Sequence, residues 1–152
     1  MKTSTVRVFS IFLMAVMLCV ACNNIPDCRN EIEPNAVKIS FLDKEDGSLV
    51  PIKFDSIRAL NTDSIFYQDT TLSKYELNLD PSLNRTSFLF YLSQGVDTLD
   101  LGYLRNVAVV SEECGPSIAF SSIAINKHSF DSVALKNDFL DRSLSENLEI
   151  YY

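Results

Sequence analysis

The chain has 152 residues, 47% of them hydrophobic, with 20 acidic against 13 basic side chains and a formal net charge of −7. That length and apolar content support one domain with a real core and leave no room for two large ones. The acid excess argues against a nucleic-acid partner and against electrostatic docking on anionic lipid, since both require a basic face.

The chain opens with Lys2 and Arg7, followed by an apolar run from Val8 to Ala21 that stops at Asn23-Asn24 before Pro26. A bilayer-spanning helix needs ~20 apolar residues. The shorter run reads as a signal peptide over residues 1–21, cut before a cysteine that takes lipid. Small residues are required just before the cut. Ala21 precedes Cys22, whereas bulky Leu18 precedes Cys19, so Cys22 is the expected lipidation site. Cleavage after Ala21 by the ordinary peptidase, leaving Cys22 unmodified, is the alternative. Lys2 and Arg7 leave with the leader, and the mature 131 residues carry 11 basic against 20 acidic side chains, a net −9. Membrane attachment then rests on acyl chains at Cys22.

Two thiols remain, Cys28 and Cys114. In an exported chain such a pair is expected to oxidise to a disulfide. Closing so long a loop is worth ~4–5 kcal/mol in the chain-entropy model. Two buried free thiols are the alternative, and a metal site is not expected, because Cys28 and Cys114 do not form a C-x-x-C pair and His128 has no ligand-spaced partner.

Residues 22–35 are polar and aperiodic and read as a flexible tether, so the domain is expected over 36–152. In Ala36–Leu42, Val37, Ile39 and Phe41 alternate with Lys38 and Ser40, the period of a half-buried strand. Asp43 to Gly47 reads as a solvated turn; its acids do not follow the spacing of a calcium loop. Further short segments follow at 51–60, 64–67, 74–79, 86–93, 96–104, 106–111, 117–126, 132–136 and 147–152, rich in β-branched and aromatic residues and separated by turn residues. Phe88 to Leu92 is apolar on both faces and is expected at the centre of a sheet. Tyr75, Leu77 and Leu79, and likewise Leu99, Leu101 and Tyr103, alternate as one-sided strands do. Between Phe120 and Ile123 the alternation slips by one residue, predicting a bulge or a change of sheet around Ser121-Ser122. The interval 138–146 is the one helix-like stretch, with Phe139, Leu140 and Leu144 able to share a face. Together these predict an all-β fold, a two-sheet antiparallel sandwich of immunoglobulin- or transthyretin-like type, with a small barrel as competitor.

Chemistry-bearing residues are few. His128 lies in the polar stretch Asn126-Lys127-His128-Ser129, which reads as a surface turn, and no G-x-S-x-G or comparable nucleophile motif accompanies it. Glu112 and Glu113 beside Cys114 are the other constellation. Adjacent strand residues point to opposite faces, so an exposed acidic corner is expected and not a shared carboxylate site. Glycine occurs only at 47, 95, 102 and 115, which excludes a glycine-rich phosphate loop. No catalytic residue, cofactor site or metal site is assigned. Tyr151 and Tyr152 are expected to close a strand, with carbohydrate or partner contact as the other reading.

One pattern exceeds chance. Asp, then Ser or Thr, then an apolar residue or Thr occurs five times, with hydroxyls at Ser56, Ser64, Thr70, Thr98 and Ser132. Composition alone accounts for roughly 0.6 occurrences. The pattern resembles the acceptor sequence of the general O-glycosylation system of Bacteroidota, which makes these five residues candidate acceptors. The competing reading is a turn-to-strand transition that favours the same residues.

The segment Ser111-Glu112-Glu113-Cys114-Gly115 carries a resemblance. With Asp97-Thr98-Leu99, Tyr103-Leu104-Arg105, Asp131-Ser132-Val133 and the closing Asn147 to Tyr151, it resembles a family of uncharacterised Bacteroidota lipoproteins, catalogued as a domain of unknown function. The resemblance covers most of the mature chain, and its specific element is E-C-G. It implies a lipoprotein signal, an early cysteine and a β-rich domain, and so strengthens the Cys28–Cys114 pairing. It brings no activity, ligand or catalytic residue. The reading that results is a lipid-anchored envelope protein, a non-enzymatic binding or assembly accessory whose partner is an envelope protein or a glycan. The alternatives are a structural envelope component without a small ligand and a hydrolase working through Glu112 or Glu113. Surface export in Bacteroidota goes with an acidic run after the lipidated cysteine, which Asn23-Asn24-Ile25-Pro26-Asp27 lacks, so the periplasmic face of the outer membrane is expected.

Overall fold

Strand formation follows the alternation. The computed structural model describes residues 28, 34–60, 62, 64–111, 114–143 and 145–152. Within them lie nine strands: β1 Ala36–Leu42, β2 Ile52–Ala59, β3 Ile65–Leu72, β4 Lys74–Asn78, β5 Arg85–Leu92, β6 Gly95–Ser111, β7 Gly115–His128, β8 Ser132–Leu135 and β9 Leu148–Tyr151. One sheet has the order β4-β1-β9-β8 and the other β3-β2-β5-β6-β7. The chain divides into two compact units, Met1–Glu31 and Ile32–Tyr152; both sheets belong to the second, and Cys28 is the one described residue of the first. The expected signal peptide, Cys22 and most of the tether lie outside the described residues.

The all-β two-sheet sandwich is present as expected, with one departure from antiparallel pairing. β1 runs parallel to β9, with Ile39 opposite Leu148 and Phe41 opposite Ile150. A parallel pair needs a connection and not a turn, and here nearly the whole domain is that connection. Phe88 to Leu92 does sit centrally, in β5, third of five strands.

The two inner faces meet in an aromatic cluster. Phe41 on β1 lies with its ring centroid 5.3 to 6.4 Å from those of Phe54, Tyr75, Phe90, Phe130 and Tyr152. Most of these pairs are edge-to-face, the arrangement that ring quadrupoles favour. Tyr75 adds a polar handle inside this cluster. Its hydroxyl donates to the Ile52 carbonyl at 2.8 Å and accepts the Leu72 N–H at 3.0 Å, so a residue of β4 ties β2 and β3 across the sandwich. Burial pushes the Tyr75 phenol up from its ordinary pKa.

Three expectations are corrected. β3 extends to Leu72 instead of ending at Tyr67, because its polar Gln68-Asp69-Thr70 stretch belongs to an edge strand with one exposed face, and Asp69 takes a left-handed φ of 46°. The segments 96–104 and 106–111 are one strand, β6, since Arg105 does not turn the chain. Its guanidinium bonds the Asn84 Oδ1 and the Pro81 carbonyl, both at 2.7 Å, while the backbone stays paired with Phe120. The interval 138–146 is not helical; Leu144 lies outside the described residues. Its polar side chains bond the local backbone, which competes with a helix. Asp141 accepts from the Ser143 N–H at 2.9 Å, and the Asn147 amide donates to the Phe139 carbonyl at 2.9 Å while accepting the Lys38 N–H at 3.0 Å. The predicted slip at Ser121-Ser122 is a bulge. Gly102 pairs with Ala124 and Leu104 with Ser121, one extra residue on β7, and Ser122 has a φ of 52°.

Replacing Tyr75 by Phe keeps the ring packing and strips the hydroxyl, leaving a buried carbonyl and an N–H unpaired. The expected cost is about 1–3 kcal/mol in urea-denaturation midpoints, with an unchanged far-UV spectrum; a neutral substitution would mean that the hydroxyl does not tie the sheets.

Candidate functional site

At the end of the sandwich where β1 begins, β2 gives way to β3 and β4 to β5, the loops enclose an open cleft of about 740 Å³. That lies within the ~300–1,000 Å³ range of small-molecule sites. The buried Leu79 and Ala59 and the half-buried Phe66 supply its apolar floor, the last packed on Phe88 at 5.8 Å between ring centroids. Leu60 and Leu83 flank it and remain about half exposed, at 48% and 55%. The rim is polar and mostly uncharged, with Asn35, Asn78, Asn84, Thr62, Ser64 and Ser87.

The loop from Leu79 to Asn84 is held from beneath. Tyr103 on β6 donates its hydroxyl to the Asp80 carbonyl at 3.0 Å and lies 2.6 Å from Thr86 Oγ1, which accepts the Asp80 N–H at 2.9 Å. Burial pushes the Tyr103 phenol up. Asp80 Oδ1 accepts from the Ser82 N–H at 2.7 Å and from the Ser82 hydroxyl at 2.5 Å, and these bonds hold the carboxyl below the usual carboxylate range. Leu60 donates to the Ser87 carbonyl at 2.7 Å, and Leu79 to the Asn35 carbonyl at 2.8 Å, which fixes the other walls. The cleft is therefore preformed.

Among the described residues its two charged side chains are already committed. Asp80 caps its own turn. Arg85 grips the buried Asp100 on β6, its Nε 2.8 and 2.9 Å from the two carboxylate oxygens. Asn126 and Ser87 each donate to the same carboxylate at 3.2 Å. Burial alone would raise the Asp100 pKa, but the bonds from Arg85, Asn126 and Ser87 outweigh it, and the net shift is downward. Gly102 makes room for this arrangement. A Cβ there would stand 3.0 Å from the Asn126 amide nitrogen that lies across β6.

The other expected residues are dispersed. Cys28 and Cys114 are both disulfide-bonded, the two residues that the sequence pairs. Glu112 and Glu113 lie outside the described residues. His128 closes β7 opposite Leu99 instead of lying in a turn, with Nδ1 donating to the Phe130 carbonyl at 2.9 Å. Of the five acceptor-pattern hydroxyls, Ser56 is buried at 7% exposure, which shuts it off from an enzyme acting on the folded chain. Thr70 and Thr98 are half-buried, and Ser64 and Ser132 are exposed. Ser64 alone of the five lines the cleft. Tyr152 packs on Phe41 and Phe130, and Tyr151 donates to Glu149 at 3.0 Å, in line with the strand-closing role. A second recess, of about 220 Å³ between Asp97, Asp131 and Tyr152, is smaller than an ordinary ligand site. Among the described residues no three His, Cys, Asp or Glu side chains form a metal-binding group.

Sequence reasoning did not reach the cleft, whose lining shares only Ser64 with a sequence pattern. The available signal was the pair of leucines in turn contexts, Leu60 before Asn61-Thr62 and Leu83 inside Pro81-Ser82-Leu83-Asn84, where an apolar side chain has no strand to bury it.

In comparisons with known proteins, residues 56–152 match a family described as "Family of unknown function (DUF6452)". No curated protein and no solved structure matches the chain.

Removing the Asp100 carboxylate, as Asp100→Ala, leaves Asn126 and Ser87 without their acceptor and should cost about 2–3 kcal/mol at neutral pH. The sign of the pH dependence follows from the lowered pKa. The carboxylate's contribution is complete above the ordinary aspartate value of ~3.9 and is lost as pH falls through the lower folded value. Denaturation curves of parent and variant should therefore converge in strong acid, and a gap that stays constant with pH would refute the assignment.

Proposed function

The chain belongs to the DUF6452 family, and for it we propose a non-enzymatic binding role, exercised at the end cleft by an exported domain anchored in the outer membrane through lipid on Cys22. The observation that carries this reading is the preformed cleft of about 740 Å³ in which, among the described residues, the one cation, Arg85, is paired with Asp100 and Asp80 caps its own turn. In a chain of net charge −7 a recess whose described lining offers no unpaired cation does not draw an anion and favours an uncharged ligand. Amide and hydroxyl groups around apolar side chains are the complement of a neutral glycan segment, and that is the ligand class proposed, with an apolar peptide as competitor.

Absence of catalysis is part of the proposal. The carboxyls of Asp80 and Asp100 are both held below their ordinary pKa, the reverse of what a general acid at neutral pH requires. The hydrolase alternative rests on Glu112 and Glu113. It would be abandoned if substituting both left the cellular phenotype intact.

Export is supported by the apolar leader that ends before Cys22 and by two disulfide-bonded cysteines, which belong in an oxidising compartment. The lack of an acidic run after Cys22 supports the periplasmic face. Ser64 and Ser132, the exposed acceptor-pattern hydroxyls, are the preferred positions for any O-glycan.

Two measurements test these readings. Titration with neutral oligosaccharides, followed by amide NMR, should move resonances of Leu60, Asn78, Leu83 and Asn84, and Leu83→Glu should abolish the shifts. Shifts confined to another surface, or evoked only by apolar peptides, would reject the glycan reading. Intact mass of the protein from its native membrane should show acyl mass on a chain starting at Cys22 and a gain of two protons on reduction. An unacylated chain would discard the anchor.

A further inference from the structure

Sheet edges offer unpaired N–H and C=O groups to any passing strand, and folded proteins usually blunt them. Among the described residues, four of the five exposed edges are blunted. On β4, the outward N–H and C=O of Glu76 are both taken by the Tyr67 hydroxyl, at 3.2 and 3.3 Å. β3 is kinked at Asp69 by its left-handed φ of 46°. β8 is only four residues long. On β7, Ile123 donates to the Asp138 carbonyl at 2.7 Å and Phe120 accepts from Leu140 at 3.3 Å, while Pro116 has no N–H to offer.

The fifth edge is the far half of β6. β5 accompanies β6 only as far as Gly102, opposite Arg85. Tyr103 still donates on that side, to the Asn84 carbonyl at 3.0 Å. Strand alternation from Tyr103 sends the N–H and C=O groups of Arg105, Val107 and Val109 to the same side. Among the described residues nothing bonds to them there. Among the described residues the side chains of Val107 and Val109 are also the most exposed large hydrophobics, at 70% and 76%.

We propose that this edge, centred on Ala108, pairs with the same edge of a second copy in an antiparallel, two-fold contact. Val107-Ala108-Val109 reads the same in both directions, so pairing about Ala108 sets each Val107 against the other copy's Val109 and closes on itself. β-branched residues directly opposite one another are favourable cross-strand pairs. Asn106 to Ser111 carries no charge, so the net −7 of each chain brings no acid against acid along the shared strand. The contact is independent of the cleft and of whatever ligand the cleft takes.

Sedimentation of the whole chain in density-matched detergent tests it. The expected result is a dimer that dissociates on dilution, and loss of that dimer in Val109→Lys at concentrations where the parent is paired. Leu83→Lys, on the cleft wall, should leave the dimer intact, and thermal melting of both variants should match the parent. Ala108→Cys supplies a second readout. Opposed non-hydrogen-bonded residues have Cα atoms about 4.5 Å apart, so the two introduced thiols should oxidise to a covalent dimer. A chain that stays monomeric at all concentrations, a dimer indifferent to Val109→Lys, or an edge that pairs only with a different protein would each overturn the proposal.

Discussion

Everything in the domain depends on Phe41 having a sheet on each side of it. Its ring reaches Phe54 and Phe90 on the opposite sheet, Tyr75 on its own, and Phe130 and Tyr152 from the turn and the chain end. A half-apolar sheet cannot remain folded in water alone, and two such sheets can. The alternation of Val37, Ile39 and Phe41 is therefore more than a strand signal; it requires a second sheet with the same period, which Phe54, Phe88 and Phe90 provide. The Tyr75 hydroxyl is tolerated amid these rings because backbone groups of Leu72, Ile52 and Thr70 satisfy it.

The cleft is what remains where the two layers diverge at one end. The loops there leave the gap open, and bonds within them hold their charged side chains in place. Asp100 is the clearest case. It lies on the outer face of β6 between core-facing Leu99 and Leu101, and Arg85, diagonal to it on the adjacent β5, grips it. A structural pairing thereby ties up Arg85, the cation among the described residues of the cleft lining.

Much of this was legible in the residues. β1, β4, the central position of Phe88 to Leu92, the bulge at Ser121-Ser122 and the cysteine pair all follow from period, composition or count. What escaped was decided by neighbours distant in sequence. Gln68 and Asp69 have no hydrophobic pattern because an edge strand with an exposed face does not require one. Arg105 interrupts an apolar run only on paper, since Asn84 and Pro81 satisfy it without bending the chain. Leu140 is buried by a loop that Asn147 staples to β1, and no local rule distinguishes that from a helical turn. The cleft was invisible for the same reason, since its lining comes from three separate junctions. The five acceptor-pattern hydroxyls were legible as a pattern, while their burial was not.

The parallel pairing of the first strand with the last also governs timing. Lys38 and Asn147 are 109 positions apart, and β1 stands between β4 and β9 in its sheet. As the polypeptide is synthesised, β1 can find β4 early, but the place beside it stays vacant until β9 arrives. Contacts of such span are formed late, after the entropy of closing the whole loop has been overcome. β9 thus completes the four-stranded sheet. Until Leu148 to Tyr151 dock, one side of β1 lacks the partner that the folded sheet gives it.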